Sequence, residues 1–326
     1  MGRSRALSRA RRCSARWRVA GVLACALLLL APAAPGESAT ADILVVAEPG
    51  TIHDQIIGAA ETQLAARDHA TRLRPILVGE LESALAAGPA PALVVTLGSS
   101  AARGVPTPLP VPLLHAAIPA SVFPSLQAAG EAGQHSRERS ALFLDQPAAR
   151  QLAAIRLALP QLQRLGVLAR SGDRASLEPL HAAVPAAGIE TVVEEVPELD
   201  LLIPRVEQLL RSADALLITP DATLYNRYTL QKVLLAAYRQ RKPVIGLSAA
   251  YVDAGALLAV YADPAAIGRD LGDAIAHFLE HDRLAPPSHA RTFAVAVNRH
   301  VARSLGLTLP PGAELLRLLQ QDEAGP

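Results

Sequence analysis

From about residue 41 onward, runs of consecutive aliphatic residues alternate with longer stretches in which apolar positions recur every three or four residues. The runs in "ADILVVAE", "RPILVGE", "PALVVTLG" and "VPLLHAA" predict strands covered on both faces, because a strand with one wet face would alternate apolar and polar residues. Between them, "HDQIIGAAETQLAARD" puts Ile56, Ile57, Ala60 and Leu64 on one helical face, and "ELESALAAG" predicts a shorter helix. The stretch "ASVFPSLQAAGEAGQHSRERS" breaks the pattern and reads as a linker.

After it the alternation resumes. Helix-like "QPAARQLAAIRLALP", "SLEPLHAAVPAAG", "IPRVEQLLRSA" and "LYNRYTLQKVLLAAYRQR" are interleaved with strand-like "RLGVLAR", "IETVVEEV", "DALLITP" and "PVIGLS". Then come a strand in "GALLAVYA", a helix in "PAAIGRDLGDAIAHFLEH", a late strand in "TFAVAVN" and a closing helix, "RHVARSLG". Strands apolar throughout and separated by helices imply α/β architecture, here two doubly wound parallel-sheet lobes with a ligand cleft between them. In such sheets ligands lie beyond the carboxyl ends of the strands.

The first forty residues obey different rules. "MGRSRALSRARRCSARWR" carries seven arginines and no acid, and "VAGVLACALLLLAPAA" is an apolar run ending in small residues. This is the layout of a secretory signal peptide, with Ala39-Thr40-Ala41 as the cleavage site, so residues 1–41 are expected to be a leader and the protein to be periplasmic. The apolar run is shorter than the ~20 residues of a spanning helix. Lipoprotein anchoring at Cys25 is disfavoured because the strongest apolar stretch follows that cysteine.

Removing the leader changes the charge and the redox chemistry. Both cysteines, Cys13 and Cys25, leave with it, so neither a disulfide nor a thiolate centre is expected. The whole chain holds 31 Lys plus Arg against 30 Asp plus Glu; without seven arginines and one glutamate, acids outnumber bases. An acidic exported chain without a basic stripe argues against nucleic-acid binding.

Polar residues at strand ends are the candidate site. Gly98 ends "LVVTLG", and Ser99 and Ser100 follow it with hydroxyls and N–H groups suited to an anion, or simply to capping a helix. Asp221 follows "LLITP"; it could take an ammonium or sugar-like hydroxyls, and Asp221 or Thr223 could equally cap a helix over 224–241. All five tyrosines fall between residues 225 and 261, of which Tyr225, Tyr251 and Tyr261 lie near strand ends and are candidate cleft walls. Ser248, and Thr51 and His53 after the first strand, complete the set.

Catalytic signals are weak. "HFLEH" fits the H-x-x-E-H pattern of some zinc proteases, but no third ligand follows at a suitable position. There is no G-x-S-x-G elbow, Walker loop or G-x-G-x-x-G, and no defensible triad. Neither an enzyme, a metal nor a cofactor is expected.

"DALLITPDATL", "KPVIGLSAAYVDAGALLAVYADPAAIGRDLGDAIAHFL" and "VAVNRHVARSLGLTLP", in that order, resemble the substrate-binding proteins of ABC transporters of the tryptophan/tyrosine-binding type, as do "LVVTLGSSAA" and "LPQLQRLGVLARSG". The resemblance implies a periplasmic-binding-protein type I fold that closes around a small-molecule ligand. It places one lobe at 42–118 plus about 263–290, the other at 119–262 plus about 291–310, and leaves 311–326 as a tail. It also implies a monomer that serves an ABC permease and its ATPase, or alternatively a sensor of the same fold that signals to a membrane kinase. Where the family usually has asparagine after the aspartate, Ala222 stands here.

Overall fold

The computed structural model describes residues 41–69, 71–106, 108–131 and 138–324. The expected leader, with Cys13 and Cys25, lies outside the described residues apart from Ala41. The first sheet is built from β1 (Ile43–Val46), α1 (Thr51–Ala66), β2 (Leu73–Ile76), α2 (Leu81–Ala86), β3 (Leu93–Leu97), α3 (Gly98–Gly104), β4 (Leu113–Ile118), α4 (Phe123–Glu131) and β5 (Arg139–Phe143). The second follows with α5 (Ala148–Ala158), β6 (Arg164–Arg170), α6 (Glu178–Ala187), β7 (Glu190–Val196), α7 (Leu202–Ser212), β8 (Ala215–Leu217), α8 (Leu230–Arg239), β9 (Val244–Gly246), α9 (Ala249–Ala254) and β10 (Leu258–Tyr261). The chain then returns to the first sheet with α10 (Pro264–His281) and β11 (Ser288–His289), and ends on the second with β12 (Ala294–Val297), α11 (Arg299–Ser304) and α12 (Gly312–Ala324).

The two sheets share one strand order. The first runs β2-β1-β3-β4-β5-β11 and the second β7-β6-β8-β9-β10-β12, parallel throughout except where β12 joins β10. In each, the order reverses beside the first strand, between β1 and β3 and between β6 and β8. Those reversals open the crevices where doubly wound sheets hold ligands. Both sheets are covered on both faces: β1, β3 and β8 are buried along their whole length, as their aliphatic runs, broken only by Thr96 in β3, require.

Helix α10 shows how local sequence builds the packing. Asp263 caps it by accepting the Ala266 N–H at 2.6 Å, and Pro264 begins its first turn where no N–H partner is needed. Ile267, Leu271, Ile275 and Phe278 then form its buried face. Gly268 and Gly272 let it lie against α1 so closely that a Cβ at Gly268 would stand 2.4 Å from the Ile56 carbonyl oxygen.

Three expectations need correction. The second lobe does not begin at 119: β5 pairs with β4, and α4 occupies part of the expected linker, so the first crossing between sheets falls at 144–147. Its short apolar run, Ala141-Leu142-Phe143, directly follows a polar segment and is easily taken for loop. The helix expected over 224–241 starts only at Leu230. Side chains compete for the backbone ahead of it: Asn226 Nδ2 donates to the Thr223 carbonyl at 3.2 Å, and Thr229 Oγ1 donates to that of Leu224 at 2.7 Å. Finally, the expected tail at 311–326 holds α12, which buries Leu315 and Leu319 in the second core; full burial of such side chains stabilises by about 2 kcal/mol each.

Candidate functional site

A cleft of about 490 Å³ opens between the sheets, at the carboxyl ends of β3, β4, β5, β6 and β8. Each strand delivers something polar. After β3, Gly98 turns the chain with φ +82, a left-handed conformation that favours glycine, and presents Ser99 and Arg103 of α3. At the end of β4 the pairing with β5 shifts register between Ala116 and Ile118, with Ala117 in the left-handed region between them. This bulge bends the strand into Pro119–Val122, which line the cleft with Ser121 and, from α4, Ser125.

The crossings between the sheets form the back of the cleft. Asp145 and Gln146 come from the first crossing, and His289 from β11 near the last. Asp145 Oδ1 accepts the Ala120 N–H at 2.8 Å, while its carbonyl oxygen lies 2.8 Å from His289 Nδ1. Burial raises the proton affinity of this carboxyl above the ordinary value, against the opposing pull of the Ala120 N–H and of His289. Gln146 is 3% exposed; its Oε1 accepts from Arg150 Nη1 at 2.6 Å, and its Nε2 has no partner among the described residues.

On the second side, Arg170 ends β6 and organises the charges. Its Nε donates to Asp221 Oδ2 at 2.7 Å and its Nη2 to Asp173 Oδ2 at 2.9 Å. The two neighbours, Asp221 first, strengthen the hold of the guanidinium on its proton. The other oxygen of Asp221 accepts the N–H groups of Thr223 at 2.8 Å and Leu224 at 3.2 Å. Asp221 therefore lines the cleft and also caps a turn, but that turn precedes α8 and is not its first turn.

Of the residues expected from sequence, Ser99, Asp221 and Thr223 meet in this lining. The others do not. Ser100 is exposed on α3, Thr51 is exposed at the start of α1, and His53 folds back so that its Nδ1 lies 2.6 Å from the Glu48 carbonyl oxygen. Tyr225 is only 4% exposed and belongs to the second core, where its hydroxyl has no partner among the described residues and burial drives its ionisation far upward. Tyr251 packs on that core with Cβ against Gly246; Ser248, whose carbonyl accepts the Tyr251 N–H, and Tyr261 are likewise off the lining. A tyrosine at a strand end is as well suited to packing as to facing a ligand, and at Tyr225 and Tyr251 packing prevails.

Asp145, Gln146, Arg170, Arg103 and His289 were not anticipated. "LFLDQP" carries the same signal as "LLITPD", a carboxylate directly after an apolar run, but its run is too short and too close to a polar segment to stand out as a strand. In "HFLEH", the His277 and His281 rings stack at 4.3 Å, and Glu280 Oε1 lies 3.2 Å from His69 Nε2. Among the described residues no group of three or more His, Cys, Asp or Glu is disposed to hold a metal.

Comparison with known proteins agrees with this architecture. The family model for ABC transporter substrate binding proteins matches residues 144–317. Among solved structures, an ABC domain in complex with L-Trp from Streptococcus pneumonia is 21% identical, with a TM-score of 0.59 over 85% of this chain and 98% of its own. A ligand-free, open substrate-binding protein with adhesive properties from Clostridium difficile is 14% identical, with a TM-score of 0.64 over 83% and 96%. A periplasmic ribose ABC transporter protein from Conexibacter woesei is 14% identical, with a TM-score of 0.52 over 84% and 98%. At such identities the likeness establishes the fold, that of type I periplasmic binding proteins. No curated protein matches the chain.

Proposed function

The chain belongs to the ABC transporter substrate-binding protein family, and on that premise we propose that it captures a small polar solute between its lobes and delivers it to a membrane permease driven by an ATPase. The observation that carries this reading is the cleft: strand ends of both sheets contribute polar groups to one cavity, so a solute touching both favours the closed arrangement over the open one. Ser99 on one side and Asp221 and Thr223 on the other are proposed contacts. The arginine-rich, then apolar, start of the chain supports export to the periplasm, where the protein would act as a monomer and as a binder with no chemistry of its own.

The lining favours a polar ligand over a stacked aromatic one. Ser99, Ser121, Ser125, Ser176, Thr219 and Thr223 offer hydroxyls, and the described lining contains no Phe, Tyr or Trp. An amino-acid-like or similar small solute suits it. A thermal-shift screen against amino acids, nucleosides, sugars and small carboxylates tests the reading, since a ligand at 100 times its Kd stabilises the folded state by about 2.7 kcal/mol. A rise of roughly 5 °C or more is expected for at least one class. If every class leaves the transition where it was, solute capture is the wrong function.

A further inference from the structure

The charges that line the cleft are unequal in what already satisfies them. They comprise Arg103 and Arg170 on one side of the account and Asp145, Asp173 and Asp221 on the other, with His289 beside Asp145. Arg170 holds both Asp173 and Asp221, and Asp221 also takes two backbone N–H groups. Asp145 is different. Among the described residues no Lys or Arg is ion-paired with it, and beyond its own backbone N–H the only donor to its carboxylate is the Ala120 N–H. His289, whose imidazole favours the ionised carboxylate, directs Nδ1 to the Asp145 carbonyl oxygen, and its ring packs edge-on against Phe143 at 5.0 Å.

Next to it in sequence, Gln146 is 3% exposed and lines the same cleft, with Nε2 lacking any partner among the described residues. The first crossing thus brings an unpaired carboxylate and an unused amide donor to one end of the cavity. A carboxylate withdrawn from water with no Lys or Arg paired to it is poorly stabilised, and a positive group arriving there gains more than it would beside Asp221, which Arg170 already neutralises.

We infer that Asp145, and not Asp221, receives a cationic group of the solute, so that the solute carries an ammonium or comparable organic cation together with an acceptor for Gln146 Nε2. This deepens the solute-capture reading and rests on it. Asp221 then serves the site by fixing Arg170 and the 222–224 turn.

The test is calorimetric titration of the purified protein with paired probes, the L-amino acids and their N-acetyl derivatives, together with putrescine, choline and ribose. Binding is expected only from probes that carry a cation, and N-acetylation should weaken a binding amino acid at least tenfold. Asp145→Asn keeps an oxygen for the Ala120 N–H and should raise the Kd of the same probe at least tenfold. The N-acetyl comparison uses the unaltered protein and so reads out even if that variant folds poorly. Tight binding of ribose, or an unchanged Kd in Asp145→Asn, would overturn the assignment and leave solute capture standing. No heat from any probe, together with a flat thermal-shift screen, would overturn both.

Discussion

Arg170 Nε and Asp221 Oδ2 meet at 2.7 Å, joining the end of β6 to the end of β8 across the reversal of strand order in the second sheet. The pair lies at the rim of the cleft, with the Arg170 side chain 48% and the Asp221 side chain 16% exposed, so the ion pair itself contributes little. The larger role of Asp221 is the turn it caps. The side chains at 221, 226 and 229 together delay the start of α8 to Leu230.

That division of roles predicts different outcomes for two substitutions. Asp221→Ala removes the acceptor for the Thr223 and Leu224 N–H groups and should cost about 1 kcal/mol. In a protein of this size that lowers Tm by roughly 2 °C. Asp221→Asn keeps an oxygen at the same place and should cost only a few tenths of a kcal/mol. Urea denaturation of both variants decides the matter: if Asp221→Ala proves as stable as the parent, the capping role is wrong.

The same residues show what could be read in advance. The apolar runs of β1, β3, β6 and β8 need no tertiary information, because burial on both faces leaves few polar positions within a run, Thr96 of β3 being one. Helix α10 announced itself through Asp263, Pro264 and a long apolar face. The cleft residues are legible as far as their strands are: Ser99, Asp221 and Thr223 follow long apolar runs, whereas Asp145 and Gln146 follow β5, whose short run reads as linker. Helix α12 is signalled only by Leu315 and Leu319, four residues apart in "AELLRLLQQ", a spacing that marks a buried face. Tyr225 was misplaced for a different reason. Only the fold decides which way a strand-end side chain turns, and this one turns into the core.

His115 makes stability depend on pH. It is fully buried in β4, shares a 2.9 Å hydrogen bond with Thr96 Oγ1 through Nδ1, and is held neutral down to about 4 by burial, with the Arg139 guanidinium adding to the effect. The unfolded chain takes up a proton at its ordinary pKa, near 6.5. Because the folded value is the lower one, the contribution is fully present above about pH 6.5 and is lost as the pH falls towards 4, by roughly 3 kcal/mol in all. His115→Gln retains a polar partner for Thr96 but does not titrate. Its stability, measured by urea denaturation at several pH values, should fall less steeply between pH 6.5 and 4 than that of the parent. Parallel curves would show that His115 is not the source.

Helices α1 and α10 each carry a glycine, one exposed and one in their contact. In a helix, Gly→Ala alone gains up to about 1 kcal/mol from propensity, so an exposed glycine and a packed one should respond with opposite sign. Gly58 of α1 has nothing within 4 Å of the position a Cβ would take, and Gly58→Ala should stabilise the protein by about 0.5–1 kcal/mol. At Gly268 of α10 the new Cβ would meet the Ile56 carbonyl oxygen at 2.4 Å and the Ala59 Cβ at 2.6 Å. The first of these is backbone and cannot rotate away, so the helices must separate, at a cost of about 2 kcal/mol or more that outweighs the propensity gain. Thermal denaturation of the two single variants should therefore move Tm in opposite directions. A Gly268→Ala protein that melts above the parent would mean that α10 does not lie this close to α1.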